Sequence, residues 1–335
     1  MESLWQDVAR IAAEITFSGA VRAHADGVVV IDVAYGLADR AHGIPVTTTT
    51  QFATASGTKG LTALVMMRLV ESGVLGLSTT ARSLLGVDLP LIDDQVTVEH
   101  LLEHRSGIGD YLDEDLVEDI SDYVMTRPGH ELTDVTAFLP MLAGHPQRSE
   151  PGTEFVYNNG AFVVLALMAE RATGRSYHDL VDDLVVRPAG MTHTAFLRSD
   201  ELPGDAALGY LHDIGLRTNV FHLPVLGNGD GGVYTTLGDI DAFWQSLFAG
   251  RIVSTETVAE MIRPRGERVG DGGGRYGLGF WLDANTDAVL LIGGDAGVSF
   301  MAAHRPSTGA AFTVLANFSN GAWPIAKQLR SLIVA

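Results

Sequence analysis

The chain has 335 residues, 46% hydrophobic and 19% charged, enough to bury one large core or two closely packed lobes. Its formal net charge of −19 repels phosphate backbones and anionic membranes, which argues against nucleic acid or a membrane as partner. The absence of cysteine excludes a thiol nucleophile, disulfides, Cys-ligated zinc and iron–sulfur clusters.

The opening residues, Met1 to Asp7, carry acid where a secretory signal would carry base, and no apolar segment with a cleavage site follows. The most apolar run, Phe162 to Ala169, is too short to span a bilayer, so a cytoplasmic location is expected. Residues 2–15 place Leu4, Val8, Ile11 and Ile15 on one face of an amphipathic helix. Strands are expected near 18–24 and 28–36, with Ala25-Asp26-Gly27 as the turn between them. From Ser56 the period is helical through Leu61, Leu64, Val65, Arg68 and Leu69, and it stops at Ser72-Gly73.

Residues 57–205 read as helices and long loops, with helices expected over 97–104, 131–143, 160–173 and 176–186. The acidic run from Asp110 to Asp122 lacks the spacing of an EF-hand and reads as a solvated loop or helix face. The last third predicts strands over 276–283, 287–293, 298–305 and 310–318 and a final helix over about 323–334. Strands at both ends with helices between them imply a sheet built from both termini, on which an inserted helical lobe packs.

Two positions invite chemistry. Lysine occurs only at Lys59 and Lys327, every other basic side chain among the Lys and Arg being arginine. Ser56 and Lys59 lie three apart at a helix start, so hydroxyl and amine share a face. Free N–H groups and the positive end of the helix dipole surround the hydroxyl. The apolar turns that follow draw Lys59 into a dry interior, and desolvation favours the neutral amine that a base requires. The second position is Tyr157-Asn158-Asn159. In an extended segment Tyr157 and Asn159 face the same way and Asn158 the other. A phenol can relay a proton, and a carboxamide can hold a substrate carbonyl or a lysine.

Two further patterns have weaker claims. His100-Leu101-Leu102-Glu103-His104 fits H-x-x-E-H, the zinc-protease pattern, but Ser106-Gly107 ends that helix and a third ligand is missing, so no metal or other cofactor is expected. Gly227-Asn228-Gly229-Asp230-Gly231-Gly232 lacks the Gly-Lys-Ser/Thr of a phosphate loop and reads as turn chemistry.

Several stretches fall in a familiar order. Ser56-Gly57-Thr58-Lys59 matches S-x-x-K and Tyr157-Asn158-Asn159 matches Y-x-N. Thr97 to Gly107, with Leu101-Leu102, His104 and Ser106-Gly107, matches T-x-x-x-L-L-x-H-x-S-G, and Arg187-Pro188-Ala189-Gly190-Met191 is similar to a P-L-G-M turn. Gly231 to Thr236 and Tyr276 to Phe280 follow. From about residue 18 to 320 the chain resembles the serine β-lactamase and penicillin-binding-protein superfamily, especially its class C-like, family VIII carboxylesterase branch.

The resemblance implies an α/β (α+β) β-lactamase/transpeptidase-like fold over a single domain, 1–335. An α/β lobe would comprise about 1–55 and 206–335, and a mostly helical lobe about 56–205. It implies acyl transfer: Ser56 attacks a carbonyl, with Lys59 and Tyr157 both candidates for the base, and water hydrolyses the acyl-enzyme. Asn159 would bind substrate. The oxyanion would sit between the Ser56 N–H and that of Gly294 or Asp295.

The departure is at the third motif, where Leu291-Ile292-Gly293-Gly294-Asp295 stands in place of Lys-Thr-Gly or His-x-Gly. Without that cation, short or medium acyl esters are expected ahead of β-lactams and of D-amino-acid peptides or amides, unless His304 or Arg305 on the next strand supplies the charge. A small-molecule ester or amide is the expected partner. A non-catalytic binding module of the same fold is disfavoured, because Ser56, Lys59 and Tyr157 are all present.

Overall fold

The computed structural model describes residues 2–266 and 274–334. An amphipathic helix, α1 (Glu2–Glu14), precedes the hairpin of β1 (Gly19–Ala25) and β2 (Val28–Tyr35). The chain then leaves the sheet for α2 (Thr58–Glu71), α3 (Val98–Leu102), α4 (Asn159–Thr173) and α5 (Leu237–Phe248). It returns through β3 (Arg275–Tyr276), β4 (Trp281–Leu282), β5 (Val289–Asp295), β6 (Val298–Arg305) and β7 (Ala310–Ala316), and ends in α6 (Ala322–Val334).

These strands form one antiparallel sheet in the order β2-β1-β7-β6-β5-β4-β3, so the two ends of the chain meet at the β1–β7 pair. Every residue of β7 is buried because both sheet faces are covered. On one face Phe312 and Val314 pack with Val8 of α1 and Ile325 and Leu329 of α6. On the other, Phe300 and Leu315 join α2 and α4 in the larger core. Both helices are apolar nearly all round, as buried helices are. No helix among the described residues is long and apolar enough to cross a membrane.

Three expected elements differ. Over 131–143 only Leu139–Leu142 is α-helical, after single 3-10 turns at Gly129–Glu131 and Thr136–Phe138. The Asp134 carboxylate accepts the Ala137 N–H (3.0 Å), which starts a fresh turn there. The helix expected over 176–186 is regular only over Tyr177–Val181, before a wide turn at Asp182–Val186. The strand expected over 276–283 is broken into β3 and β4. Between them Gly279 takes φ +82°, and a side chain there would meet the Ala63 methyl at 2.2 Å.

Candidate active site

Ser56 sits in a 3-10 turn, Ala55–Gly57, that feeds directly into α2. Ala55 holds φ +45°, a conformation L-residues avoid and local packing must enforce. The Thr58 hydroxyl does part of this: it donates to the Ala55 carbonyl (2.8 Å) and accepts the Val233 N–H (3.1 Å). From Thr54 to Met67 every residue is buried except Ser56, which is partly exposed. The turn thus presents one hydroxyl to a cleft from an otherwise closed core.

Lys59 is 2% exposed. Its Nζ contacts Ser56 Oγ (2.9 Å), Asn159 Oδ1 (2.8 Å) and the Asp230 carbonyl oxygen (2.9 Å). Burial pushes its pKa down, opposed by the charges of Asp230, Glu114, Asp110 and Asp295. Two of the three contacts are acceptors only. A neutral amine places its two hydrogens on Asn159 and Asp230 and turns its lone pair to the serine proton.

Tyr157 lines the cleft beside Ser56, with Lys59 Nζ 5.0 Å from the centre of its ring, and the ring stacks on Trp281 (6.0 Å, 20°). Burial, with Glu114 nearby, raises its pKa well above the usual phenol value. Asn158 turns away, capping α4 through the Ala161 N–H (2.7 Å) and donating to the Ile108 carbonyl (2.9 Å). Asn159 faces Lys59. Its Nδ2 donates to the Leu112 carbonyl (3.0 Å) and to Glu114 Oε1 (2.9 Å), which leaves Oδ1 for the amine.

Asp110 corrects the reading of the acidic run as wholly solvated. It is buried and accepts the N–H groups of Asn159 (2.6 Å) and Gly160 (2.9 Å) at the start of α4. A carboxylate complements the positive end of a helix. Burial nevertheless lifts its pKa to about 6. Tyr111 donates to the Asp230 side chain, beside the carbonyl that receives Lys59.

The cleft has two lobes that meet at Ser56. One is lined by Tyr111, Tyr123, Met125, Tyr234 and Val298, with Asp230 and Asp295. The other is lined by Tyr157, Trp281, Ile292, Met301 and Trp323, with Arg330 at its edge paired to Asp283 (3.1 Å). Gly294 and Glu114 border both. Gly293 is where β5 touches the Ser56 turn: a Cβ there would lie 2.0 Å from the Thr54 carbonyl oxygen and 2.9 Å from the Ser56 nitrogen. Asp295 is held at a pKa of about 7 by burial.

The H-x-x-E-H side chains diverge. His100 caps the helix that contains it, with Nδ1 accepting the Thr97 N–H (3.3 Å). Glu103 pairs with Arg265, and His104 turns inward at φ +56°.

Residues 8–334 match the family described as Beta-lactamase. The chain belongs to that family. A penicillin binding protein from Bacillus halodurans superimposes with a TM-score of 0.89 at 32% identity, over 97% of this chain and 99% of that one. Penicillin-binding protein 4* of Bacillus subtilis (strain 168) is 28% identical over 310 residues, 85% of this chain. The chain spans 64% of that relative's length. Esterase EstB of Burkholderia gladioli is 36% identical over 180 residues, 52% of this chain and 45% of EstB.

The segment Leu291 to Asp295, where the resemblance leads one to expect a cation, carries none. Leu291 is buried, its methyl lying against Gly60 of α2. Neither candidate for a replacement cation reaches the cleft lining. His304 lies between Trp244 (5.8 Å) and Phe248 (5.0 Å), where burial lowers its pKa to about 4. Arg305 pairs with Asp287 (3.3 Å).

Asp110, Glu114 and Asp230 were not singled out as site residues from the sequence. Asp230 sits in the Gly-rich turn, and its contribution is a backbone carbonyl, for which no side-chain pattern exists. Asp110 acts across 49 residues of chain on the Asn159 N–H.

Proposed function

We propose that the protein is a serine hydrolase that forms an acyl-enzyme on Ser56 and acts on esters of short or medium acyl chains. The observation that carries the reaction type is the Lys59 amine, dry and held between Ser56 Oγ and two fixed acceptors. Lys59 takes the serine proton as Oγ attacks the carbonyl. Tyr157, on the side of the cleft toward Trp281, gives its proton to the departing alcohol and takes in its place the one that Lys59 received, which returns both groups to their starting forms before water hydrolyses the ester to Ser56.

The oxyanion is received by the Ser56 N–H and, on this reading, by Gly294. Asp295 pairs with Val298 across the two-residue turn Ala296-Gly297. The closing pair of such a hairpin exchanges hydrogen bonds, so the Gly294 N–H one residue earlier points away from β6. On that side β4 pairs only with Val289 and Leu290, which leaves the edge at Gly294 open to substrate.

The ester preference rests on charge. Leu291 brings no cation to the third motif, and Glu114 and Asp230, joined by Asp295 once it ionises, line the lobe that opens on Ser56, a setting that disfavours substrates carrying a carboxylate. The same carboxylates support a second reading, an amidase for substrates bearing an ammonium group. The test compares kcat/KM for p-nitrophenyl butyrate, a chromogenic cephalosporin and an amino-acid p-nitroanilide on one preparation. The ester should lead. Equal or faster cephalosporin turnover overturns the charge argument, and a faster anilide selects the second reading.

A further inference from the structure

We propose that His104 is a positioning residue for Tyr157: it grips the backbone on both sides of the phenol and seats the phenol ring against its own. The inference rests on the proposed role of Tyr157 in the proton network. His104 lies 1% exposed just after α3, where φ +56° turns its side chain back toward the core. Its carbonyl oxygen accepts the Val156 N–H (2.8 Å), and its Nδ1 accepts the Asn158 N–H (3.1 Å). The residues before and after Tyr157 are therefore both tied to one histidine. The imidazole lies 4.4 Å from the Tyr157 ring, tilted by 36°, and Phe162 (5.0 Å) and Tyr276 (4.8 Å) close around it.

The imidazole itself is informative. Because Nδ1 accepts a backbone N–H, a neutral ring carries its proton on Nε2. That nitrogen is buried and has no hydrogen-bond partner among the described residues. Leaving a buried donor unpaired is costly, and a phenyl ring would fill the same box without the cost. What the imidazole adds over a phenyl ring is the Nδ1 acceptor. Burial keeps the ring neutral and the acceptor intact. The register of Tyr157 over Ser56 thus depends on a side chain that touches neither substrate nor Ser56 in the proposed mechanism.

The test is a double-mutant cycle on p-nitrophenyl butyrate and on an alkyl butyrate, whose leaving group needs its proton more. Melting temperature and circular dichroism of each variant monitor folding. His104→Phe should lower kcat by about tenfold or more, chiefly on the alkyl ester, with KM little changed. His104→Asn should recover most of the loss, because Asn offers a carbonyl acceptor and tolerates positive φ. In the Tyr157→Phe background either substitution should cost at most about twofold. An equal fractional loss in both backgrounds overturns the inference and leaves His104 a packing residue. If His104→Phe does not fold, the cycle with His104→Leu, which likewise lacks the acceptor, decides by the same criterion. If Tyr157→Phe alone keeps full kcat on both esters, the proton-network reading falls and the inference falls with it, an outcome distinct from additivity.

Discussion

Lys59 Nζ lies 2.9 Å from Ser56 Oγ, and the Asn159 side chain holds the same nitrogen from 100 residues further along the chain. The first contact is local, made within one turn of chain. The second closes only when α4 packs beside α2. The candidate base is therefore assembled by folding, and its chemistry depends on an amine that can give up its proton in a dry setting.

Replacing that amine separates charge from basicity. Lys59→Ala and Lys59→Arg should both lower kcat by about 10³-fold or more, because a guanidinium keeps the charge and cannot accept the serine proton. Steady-state kinetics on p-nitrophenyl butyrate, with a thermal melt of each variant, check this. Near-wild-type turnover by Lys59→Arg would make Lys59 an electrostatic partner only.

Adjacent glycines of β5 should respond differently. Gly293→Ala drives a methyl into the Thr54 carbonyl at 2.0 Å, and backbone cannot yield as a side chain can. The expected result is destabilisation of about 3 kcal/mol or more, at or beyond the upper range for overpacking. Gly294→Ala meets only the edge of Trp323 at 3.1 Å and should fold with a smaller loss. Urea unfolding of the two variants reads the contrast, and equal stability would contradict the close approach of β5 to the Ser56 turn.

Asp295 predicts a pH effect on stability. Burial raises its pKa from 3.8 to about 7 in the folded chain, so between those values the folded state binds a proton that the unfolded state has released. Stability from this group is present below about pH 4 and lost as pH rises to about 7. Asp110, raised to about 6, acts in the same direction over a narrower window. Asp295→Asn should therefore lose less melting temperature than the wild type between pH 5 and pH 8. An identical loss would mean that Asp295 is not buried as a neutral acid.

The parts of the site that were legible in the sequence are those written in local spacing. Ser56 and Lys59 are one helical turn apart, and the alternation that sends Tyr157 and Asn159 one way and Asn158 the other follows from an extended backbone. The sheet joining both termini was legible from where the strand patterns fall. Long-range backbone partners were not: the Asp230 carbonyl on Lys59 and the His104 acceptor for Asn158 exist only in three dimensions. The acidic run misled because carboxylates usually seek water, whereas Asp110 finds the N–H groups of a buried helix start. The helix expected over 131–143 failed because apolar spacing of Leu132, Val135 and Phe138 is met equally by turns that bury the same side chains.

The central claim is that Ser56 forms the acyl-enzyme and that Lys59 activates it. The most direct measurement is labelling with a fluorophosphonate followed by mass spectrometry of the modified peptide, on the wild type, Ser56→Ala and Lys59→Ala. A single adduct on Ser56, absent from Ser56→Ala and formed at least about 10²-fold more slowly in Lys59→Ala, is the predicted result. An adduct on another serine, or unchanged labelling kinetics without the lysine, would contradict it.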